Sequence, residues 1–184
     1  MEIRQAFPNE VTAIMEVIES ARKALAAAGS DQWQGSSGYP RAEDIEEDIL
    51  KGWGYVGIVE GHIVAYAAVI DGVEPAYEAI FDGDWKHHNH RYITFHRIAV
   101  STEWTGQKIA QTFMQGLIEG TKGHDYRCDT HEKNKSIQHI LTKLGYVYCG
   151  KVIVEGERLA YQKIKTKQEN ALYQEVDEAA HHAI

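Results

Sequence analysis

The chain has 184 residues, a length typical of one domain, and its 43% hydrophobic and 25% charged residues match the average of globular proteins. This composition excludes a disordered or collagen-like chain, and two cysteines are too few for a disulfide framework. No apolar run approaches the ~20 residues of a membrane span, and the N-terminus lacks the apolar core of a signal peptide. We therefore expect a cytoplasmic protein with no membrane partner.

The formal net charge is −8, from 19 basic and 27 acidic side chains. An acidic surface repels the phosphates of nucleic acids, so we expect no nucleic-acid partner. The simplest interpretation of this charge is that it keeps the chain soluble.

Alternating and helical hydrophobic patterns divide the chain into short elements. The predicted strands cover residues 1–7, 55–59, 63–69, 92–100, 126–129, 146–154 and 158–164. The predicted helices run from after Asn9 to Gly29 and over 42–50, 107–119 and 135–144. The order β-α-α-β-β-β-α-β-α-β-β predicts a mixed α/β sheet rather than a purely parallel one. The near-continuous apolar character of strand 92–100 predicts a central position in that sheet.

Two segments between these elements are rich in glycine, proline or polar residues. Residues 30–41 are predicted to form a loop, in which Trp33 and Tyr39 plug a core edge or line a cleft. Residues 71–90 are predicted to form a long excursion before the central strand. The polar tail, 165–184, carries a weak helical stripe and docks, pairs across a dimer or frays. We expect a single domain over 1–164, followed by this tail.

Residues 96–110 place a core strand, a glycine-containing turn and an amphipathic helix in immediate succession. The first amides of a helix have no internal acceptors, and the helix dipole adds partial positive charge there. A strand–turn–helix unit can therefore bind phosphate or pyrophosphate, although many such turns bind nothing.

A second cluster, residues 129–134, follows the next predicted strand and opens a helix. Together the two clusters resemble the motifs of the GNAT family of N-acetyltransferases. The resembling positions are Ile98, Ala99, Val100, Gly106, Ala110, Asn134 and the tetrapeptide Lys143-Leu144-Gly145-Tyr146. The element order is similar up to about residue 164, and the residue-level resemblance is confined mainly to 92–164. The resemblance implies the GNAT fold, acetyl-CoA as co-substrate and acetyl transfer to an amine.

The resemblance also implies which residues hold acetyl-CoA. Backbone groups of Ile98 and Val100 pair with the pantetheine amides like an added strand. The amides from Gly106 to Ala110 surround the pyrophosphate at the helix N-terminus, where a glycine permits close backbone approach. The implied cofactor residues are Ile98, Ala99, Val100, Thr105, Gly106, Gln107, Lys108, Ile109, Ala110, Asn134 and Lys143.

Two of these residues belong to the second helix. The resemblance implies that the side-chain amide of Asn134 holds the pantetheine arm or the thioester. Lys143 reaches a phosphate or the adenine, or it is a surface lysine that stabilises the helix dipole.

Two positions in the turn depart from the family pattern. Thr105 stands where the family has Arg or Gln, and Lys108 stands where it has its middle glycine. A lysine is compatible with the turn if its backbone is already helical, and its charge then supports phosphate binding. The same side chain could equally block the approach.

The acid and base groups also differ from the family pattern. Many members protonate the leaving thiolate with a Tyr seven residues after the Asn of the second helix, and Leu141 occupies that position here. His96 on the central strand suits a general base, or it is a strand histidine bonded to a backbone carbonyl. His131 faces the cleft or lies on the surface, and Tyr146 protonates sulfur or packs in the core. The candidate catalytic residues are His96, His131 and Tyr146.

A cluster of three histidines, His87, His88 and His90, precedes the central strand. Zinc requires a further ligand in fixed geometry, and no Cys or carboxylate stands at a familiar spacing, so we expect no metal. A solvated loop is the preferred interpretation. The cluster and the acidic residues of the same segment could instead shape the acceptor entrance, where acidic side chains favour a cationic amine.

The residues and the resemblance together predict an acetyl-CoA-dependent N-acetyltransferase acting on a primary amine of a small molecule or a protein N-terminus. Direct attack by the amine is favoured over an acyl-enzyme because no nucleophile is marked as activated. One alternative is a non-catalytic CoA-binding or protein-interaction module on the same fold. Another is a metal-dependent histidine site in an unrelated enzyme. A homodimer is compatible with the sequence, which leaves the acceptor open.

Overall fold

The computed structural model describes residues 1–104 and 108–166. Within these ranges the strands are β1 (Glu2–Gln5), β2 (Gly54–Val59), β3 (His62–Gly72), β4 (Tyr92–Val100), β5 (Asp125–Thr130), β6 (Val147–Ile153) and β7 (Glu157–Ile164). The α-helices are α1 (Val11–Ala27), α2 (Ala42–Leu50), α3 (Ile109–Gly120) and α4 (Lys135–Lys143). The predicted element order and the mixed α/β class are confirmed. In the part of the chain that the structure describes, no helix is long and apolar enough to cross a membrane.

The described strands form one sheet in the order β1-β2-β3-β4-β5-β7-β6, so β4 lies at the centre as predicted. Neighbouring strands are antiparallel except β4 and β5, which are parallel and joined by a crossover through α3. Strand β6 runs in the same direction as β5, but β7 lies between them. This arrangement leaves a single parallel pair at the centre of the described sheet, with antiparallel ladders on both sides of it.

The helices cover the two faces of the sheet because each has an apolar stripe at helical spacing. On one face, α1 and α2 bury Ile14, Ile18 and Ile45 against the sheet. On the other face, α3 buries Phe113 and Leu117 in the main core, which also contains residues of β3, β4, β5 and α4. Two layers of helices therefore enclose the central strands.

The segment 71–90 differs from the predicted excursion, because part of it is buried. Strand β3 continues to Gly72, and a short 3₁₀ helix covers Pro75–Tyr77. Tyr77 and Trp85 are almost completely buried in a third core cluster beneath this segment. Burying two large aromatic side chains is strongly favourable, and this explains why the segment packs on the sheet. The cluster of three histidines within it is exposed, as the solvated-loop interpretation expected.

Candidate active site

The two parallel strands diverge toward their C-terminal ends. Strands β4 and β5 pair only at Ile93↔Tyr126 and Thr94↔Arg127. Strand β4 then has a bulge, at which Arg97 adopts a φ of 54° and the register with β3 shifts. A bulge bends its strand and increases its twist. The backbone of β4 beyond Thr94 therefore faces a gap instead of a ladder with β5.

A buried ionic network holds this bulge. The Arg97 guanidinium binds the Asp48 carboxylate of α2 through two hydrogen bonds, one of them 2.7 Å from Nε to Oδ2. Tyr66 also donates to Asp48 Oδ2, at 2.8 Å, and Arg97 Nη1 donates to the Tyr39 hydroxyl at 2.8 Å. Burial, reinforced by the Asp48 charge, raises the pKa of Tyr66 well above its usual value, so its phenol stays a donor. The network joins α2, β3, β4 and loop 30–41.

A cleft of about 740 Å³ opens beside the end of β4, between α1, α3 and α4. The predicted cofactor residues that line it are Ile98, Val100, Lys108, Ile109, Ala110, Asn134 and Lys143. Ala99 points away from this cleft and packs in the core beneath α1 and α2. Thr105, Gly106 and Gln107 lie outside the described residues, as does the tail from residue 167.

The backbone of Lys108 is left-handed rather than helical, so the condition under which a lysine suits this turn is not met. Its φ is 56° and its ψ is 24°, and α3 begins at Ile109 rather than at residue 107. Such a conformation costs a non-glycine residue about 1–2 kcal/mol. A glycine adopts this conformation without that cost. The lysine side chain is exposed and lines the cleft.

Asn134 has a structural task in addition to its predicted one. It is the N-cap of α4, where its Oδ1 accepts a hydrogen bond of 3.3 Å from the Ile137 amide. The cap fixes the side chain at the border of the cleft. Its amide nitrogen can still donate to a ligand. Lys143 lies in the last turn of the same helix.

A narrower cavity, which we call the slot, continues from the cleft into the gap between β4 and β5. Its volume of about 60 Å³ is that of roughly two water molecules. The residues shared by the cleft and the slot are Gln32, Trp33, Ile98, Asn134 and Ile137. The remaining residues of the slot are Tyr39, Phe95, His96, Arg97, Asp129, Thr130, Val154, Glu155 and Arg158. Trp33 and Tyr39 thus line a cavity, one of the two roles predicted for them.

His96 lines the slot and pairs with a carboxylate rather than a backbone carbonyl. Its Nε2 lies 3.1 Å from Oε2 of Glu74, and its side chain is 15% exposed. The hydrogen bond from His96 lowers the pKa of Glu74 although partial burial opposes it. A fixed carboxylate beside an imidazole sets the orientation of the ring.

Asp129 is the second acidic group beside the slot. It accepts a hydrogen bond of 2.6 Å from the hydroxyl of Tyr77, and Arg158 Nε lies 4.0 Å from its other oxygen. Burial first, and then the Asp129 charge, raise the pKa of Tyr77, whose side chain is fully buried. Asp129 is therefore held in place by Tyr77.

The structure does not bring His131 and Tyr146 to the slot. His131 accepts a hydrogen bond of 3.2 Å from the Lys133 amide and lines a separate cavity with Glu132 and Glu155. Tyr146 is 3% exposed in the main core, and its hydroxyl has no partner among the described residues. Leu141, at the position of the usual acid, is fully buried. Of the three candidate catalytic residues, His96 alone lines the slot.

The described residues offer neither a metal cluster nor an activated thiol. Over 1–104 and 108–166, no group of three or more His, Cys, Asp or Glu side chains is placed to hold a metal ion. Burial raises the pKa of the Cys128 thiol far above its usual value, and it also raises that of Cys149. A protonated thiol is a poor nucleophile, so neither cysteine suits an acyl-enzyme.

Sequence reasoning missed Arg97, Asp48 and Glu74. The signal for Asp48 was present, since it lies between Ile45 and Ile49 on the buried stripe of α2. A charge on an apolar face predicts a buried partner. The sequence does not identify that partner, because Arg97 lies 49 positions further along the chain and meets Asp48 only in the folded structure.

This fold has counterparts among solved structures. A GNAT-family acetyltransferase from Streptococcus agalactiae 2603 is 62% identical, with a TM-score of 0.88 over 90% of this chain and 96% of that one. A GNAT-family acetyltransferase from Listeria monocytogenes 4b F2365 is 19% identical (TM-score 0.67, 89% and 94%). A ribosomal-protein-alanine N-acetyltransferase from Brucella melitensis is 20% identical (TM-score 0.60, 90% and 100%). At these lower identities the likeness concerns the fold alone. No protein-family model matches the chain, and the comparison with curated proteins finds no match.

Proposed function

This chain belongs to the GNAT family of N-acetyltransferases, and we propose that it transfers an acetyl group from acetyl-CoA to a primary amine by direct attack. The acceptor is a small molecule or a protein N-terminus. The observation that carries the proposal is the gap between β4 and β5, which joins a large cleft to a slot containing His96. One co-substrate can therefore enter from the cleft while the amine approaches the slot.

The cleft suits acetyl-CoA in size and in chemistry. Its volume of about 740 Å³ is within the range of roughly 300–1,000 Å³ common for ligand pockets. Around Ile98 and Val100, the side of β4 turned away from β3 has no strand partner among the described residues, which supports strand-like pairing with the pantetheine amides. The first amides of α3 and the ammonium groups of Lys108 and Lys143 support a pyrophosphate and a phosphate.

His96 is the proposed general base. If its Nε2 hydrogen is donated to Glu74, its Nδ1 is the basic nitrogen. That nitrogen takes the proton of the attacking amine directly or through one water, and Glu74 stabilises the resulting imidazolium. The catalytic roles of His131 and Tyr146 stay predictions, as do a homodimer and a cytoplasmic location. The contacts of His96 and of the cleft do not support any of them.

The first test combines binding and turnover. Acetyl-CoA at 100 times its Kd should raise the melting temperature by about 5–10 °C for a domain of this size. A panel of primary amines should then stimulate CoA release, measured with a thiol reagent.

His96→Gln should lower kcat by about 10²–10⁴-fold and leave the acetyl-CoA thermal shift intact. The matched control is His124→Gln, an exposed histidine before β5, at the opposite end of that strand from the slot. No thermal shift at millimolar acetyl-CoA together with no amine-dependent release would contradict the proposal. Equal activity of the two histidine variants would contradict the role of His96.

A further inference from the structure

Two buried polar atoms of the slot lack a hydrogen-bond partner among the described residues. They are Oγ1 of Thr130, whose side chain is 1% exposed, and Oε1 of Gln32. Buried polar groups are nearly always hydrogen-bonded, so each exception requires an explanation. Both exceptions line the same small cavity, which indicates that a polar ligand completes them.

Thr130 occupies the last position of β5, beyond the part that pairs with β4. Side chains alternate along a strand, so Thr130 lies on the same face as Cys128 and Tyr126, which pack in the main core. Asp129 lies on the opposite face, bonded to Tyr77. The hydroxyl of Thr130 is therefore on the α3 and α4 face of the gap, where the cleft lies, across the strand from Asp129.

The reaction needs a hydrogen-bond donor for the leaving sulfur in the gap between β4 and β5. The sulfur of the thioester gains negative charge as it departs, and the residue at the usual acid position, Leu141, is fully buried in the core. The other hydroxyl of the slot, on Tyr39, is bound by Arg97, which Asp48 holds toward α2, the helix on the face of the sheet opposite Thr130. Beyond Thr94, the side of β4 that faces β5 has no strand partner among the described residues and is available to the carbonyl oxygen of the thioester, which leaves the Thr130 hydroxyl of β5 for the sulfur.

We propose that the Thr130 hydroxyl donates a hydrogen bond to the sulfur of the acetyl thioester and stabilises the departing thiolate. The inference rests on the proposed function. The nitrogen lone pair of the amine forms the C–N bond, the C–S bond breaks, and its electron pair goes to sulfur. The extra proton of the nitrogen goes to His96 and then to water. Thr130 keeps its own proton, and the thiolate takes one from water.

The test compares Thr130→Val, which removes the hydroxyl at nearly constant volume, with Thr130→Ser, which keeps it. We expect Thr130→Val to lower kcat by about 10–100-fold while the KM for acetyl-CoA stays within about threefold. Thr130→Ser should stay within about fivefold of the wild type in kcat. The melting temperature of Thr130→Val should equal or exceed that of the wild type, because an unsatisfied buried hydroxyl is removed.

A binding measurement identifies the sulfur as the partner. Calorimetric titrations with CoA and with desulfo-CoA are made at pH 7 and at pH 9.5, where a substantial fraction of the free thiol of CoA is ionised. Thr130→Val should weaken CoA binding at pH 9.5 by about three- to tenfold and leave the affinity for desulfo-CoA unchanged.

Two results overturn the inference alone: a kcat of Thr130→Val within threefold of an active wild type, or an equal loss of affinity for CoA and desulfo-CoA. A wild type without amine-dependent CoA release overturns the proposed function and this inference with it. The wild-type assay therefore separates the two failures.

Discussion

The two strands that form the gap each contribute an arginine to a buried arginine–aspartate pair. The two pairs lie at opposite ends of the parallel strands. Arg97 of β4 binds Asp48, and Arg127 of β5 binds Asp125 at 3.1 Å between Nη2 and Oδ2. Both aspartates are 2% exposed. A buried pair is weak evidence for stability in itself, because desolvation offsets much of the attraction. The position of each pair is therefore more informative than its energy.

The first pair supports the open end of the sheet and the second supports the closed end. Arg97 is at the bulge and links β4 to a helix, to Tyr66 of β3 and to loop 30–41 through Tyr39. Arg127 is in the ladder with β4, and Asp125 also accepts from Gln162 of β7 at 2.9 Å. One pair joins β4 to α2 and to loop 30–41 beside the slot, and the other joins β5 to β7 at the end where β4 and β5 are still paired.

The largest effect is expected from Asp48→Ala, which leaves the Arg97 charge buried without its partner. Removing one member of a buried pair costs about 3–5 kcal/mol of unfolding free energy. Because the bulge borders the slot, kcat should also fall, by at least about tenfold. Urea denaturation and the CoA-release assay measure the two effects at a temperature where the variant is folded.

The matched control for that variant is Glu47→Ala, on the same helix. Among the described residues its carboxylate pairs with the exposed Lys51, so the loss should be about 0.3–0.5 kcal/mol with normal activity. Comparable losses in the two variants would show that Asp48 is not a special position.

Asp125→Ala should destabilise the fold by a similar amount, about 3–5 kcal/mol, since Arg127 loses its buried counter-charge and Gln162 loses one of its acceptors. At temperatures well below its melting point, however, the variant should keep kcat within about threefold of the wild type. A variant that loses stability but keeps its turnover would distinguish the Asp125 pair most clearly from the Asp48 pair. A loss of kcat equal to that of Asp48→Ala would remove the distinction between the two ends of the sheet.

Tyr39→Phe tests the link between the first pair and loop 30–41. The substitution removes the hydroxyl that accepts from Arg97 and should cost about 1.5–3 kcal/mol, the usual contribution of a hydrogen bond to a charged group. We also expect a change in the KM of the acceptor, because Tyr39 lines the slot. An unchanged unfolding free energy and an unchanged KM would show that the loop is not held by this contact.

The smallest effect concerns pH. The pKa of Glu74 is lowered from its ordinary value of 4.5 by the hydrogen bond from His96, against the effect of burial. A lowered pKa in the folded state stabilises the fold at pH values above 4.5, and this stabilisation is lost as the pH falls through the lowered value. The difference in unfolding free energy between the wild type and Glu74→Gln should therefore shrink between pH 6 and pH 3. A constant difference across that range would contradict the pairing.

Much of the fold followed from patterns in the chain. The ranges predicted for α2 and β4 agree with the structure at both ends, because their apolar periodicity is strong and turn residues flank them. The first strand ends earlier than predicted, at Gln5, and α3 begins later, at Ile109. Ends are set by local backbone conformation, such as the left-handed Lys108, which hydrophobic spacing does not encode.

The residues of the site were predictable where a motif carries them and not elsewhere. Ile98, Val100 and Asn134 stand at fixed spacings along the chain, so the family resemblance assigns them from the sequence alone, and all three line the cleft. His96 could be named but its partner Glu74 could not. The two residues are 22 positions apart, and the segment between them had no decodable pattern.

The order of hydrophobic and polar residues was sufficient for the element sequence, the central strand and the family, because these depend on local periodicity and short motifs. The folded chain alone decided where β4 and β5 separate, which carboxylates reach Arg97 and His96, and that Thr130 is buried without a partner among the described residues. These properties arise from contacts between segments distant in sequence. The residues next to a side chain in the sequence do not determine which residues it contacts across the sheet.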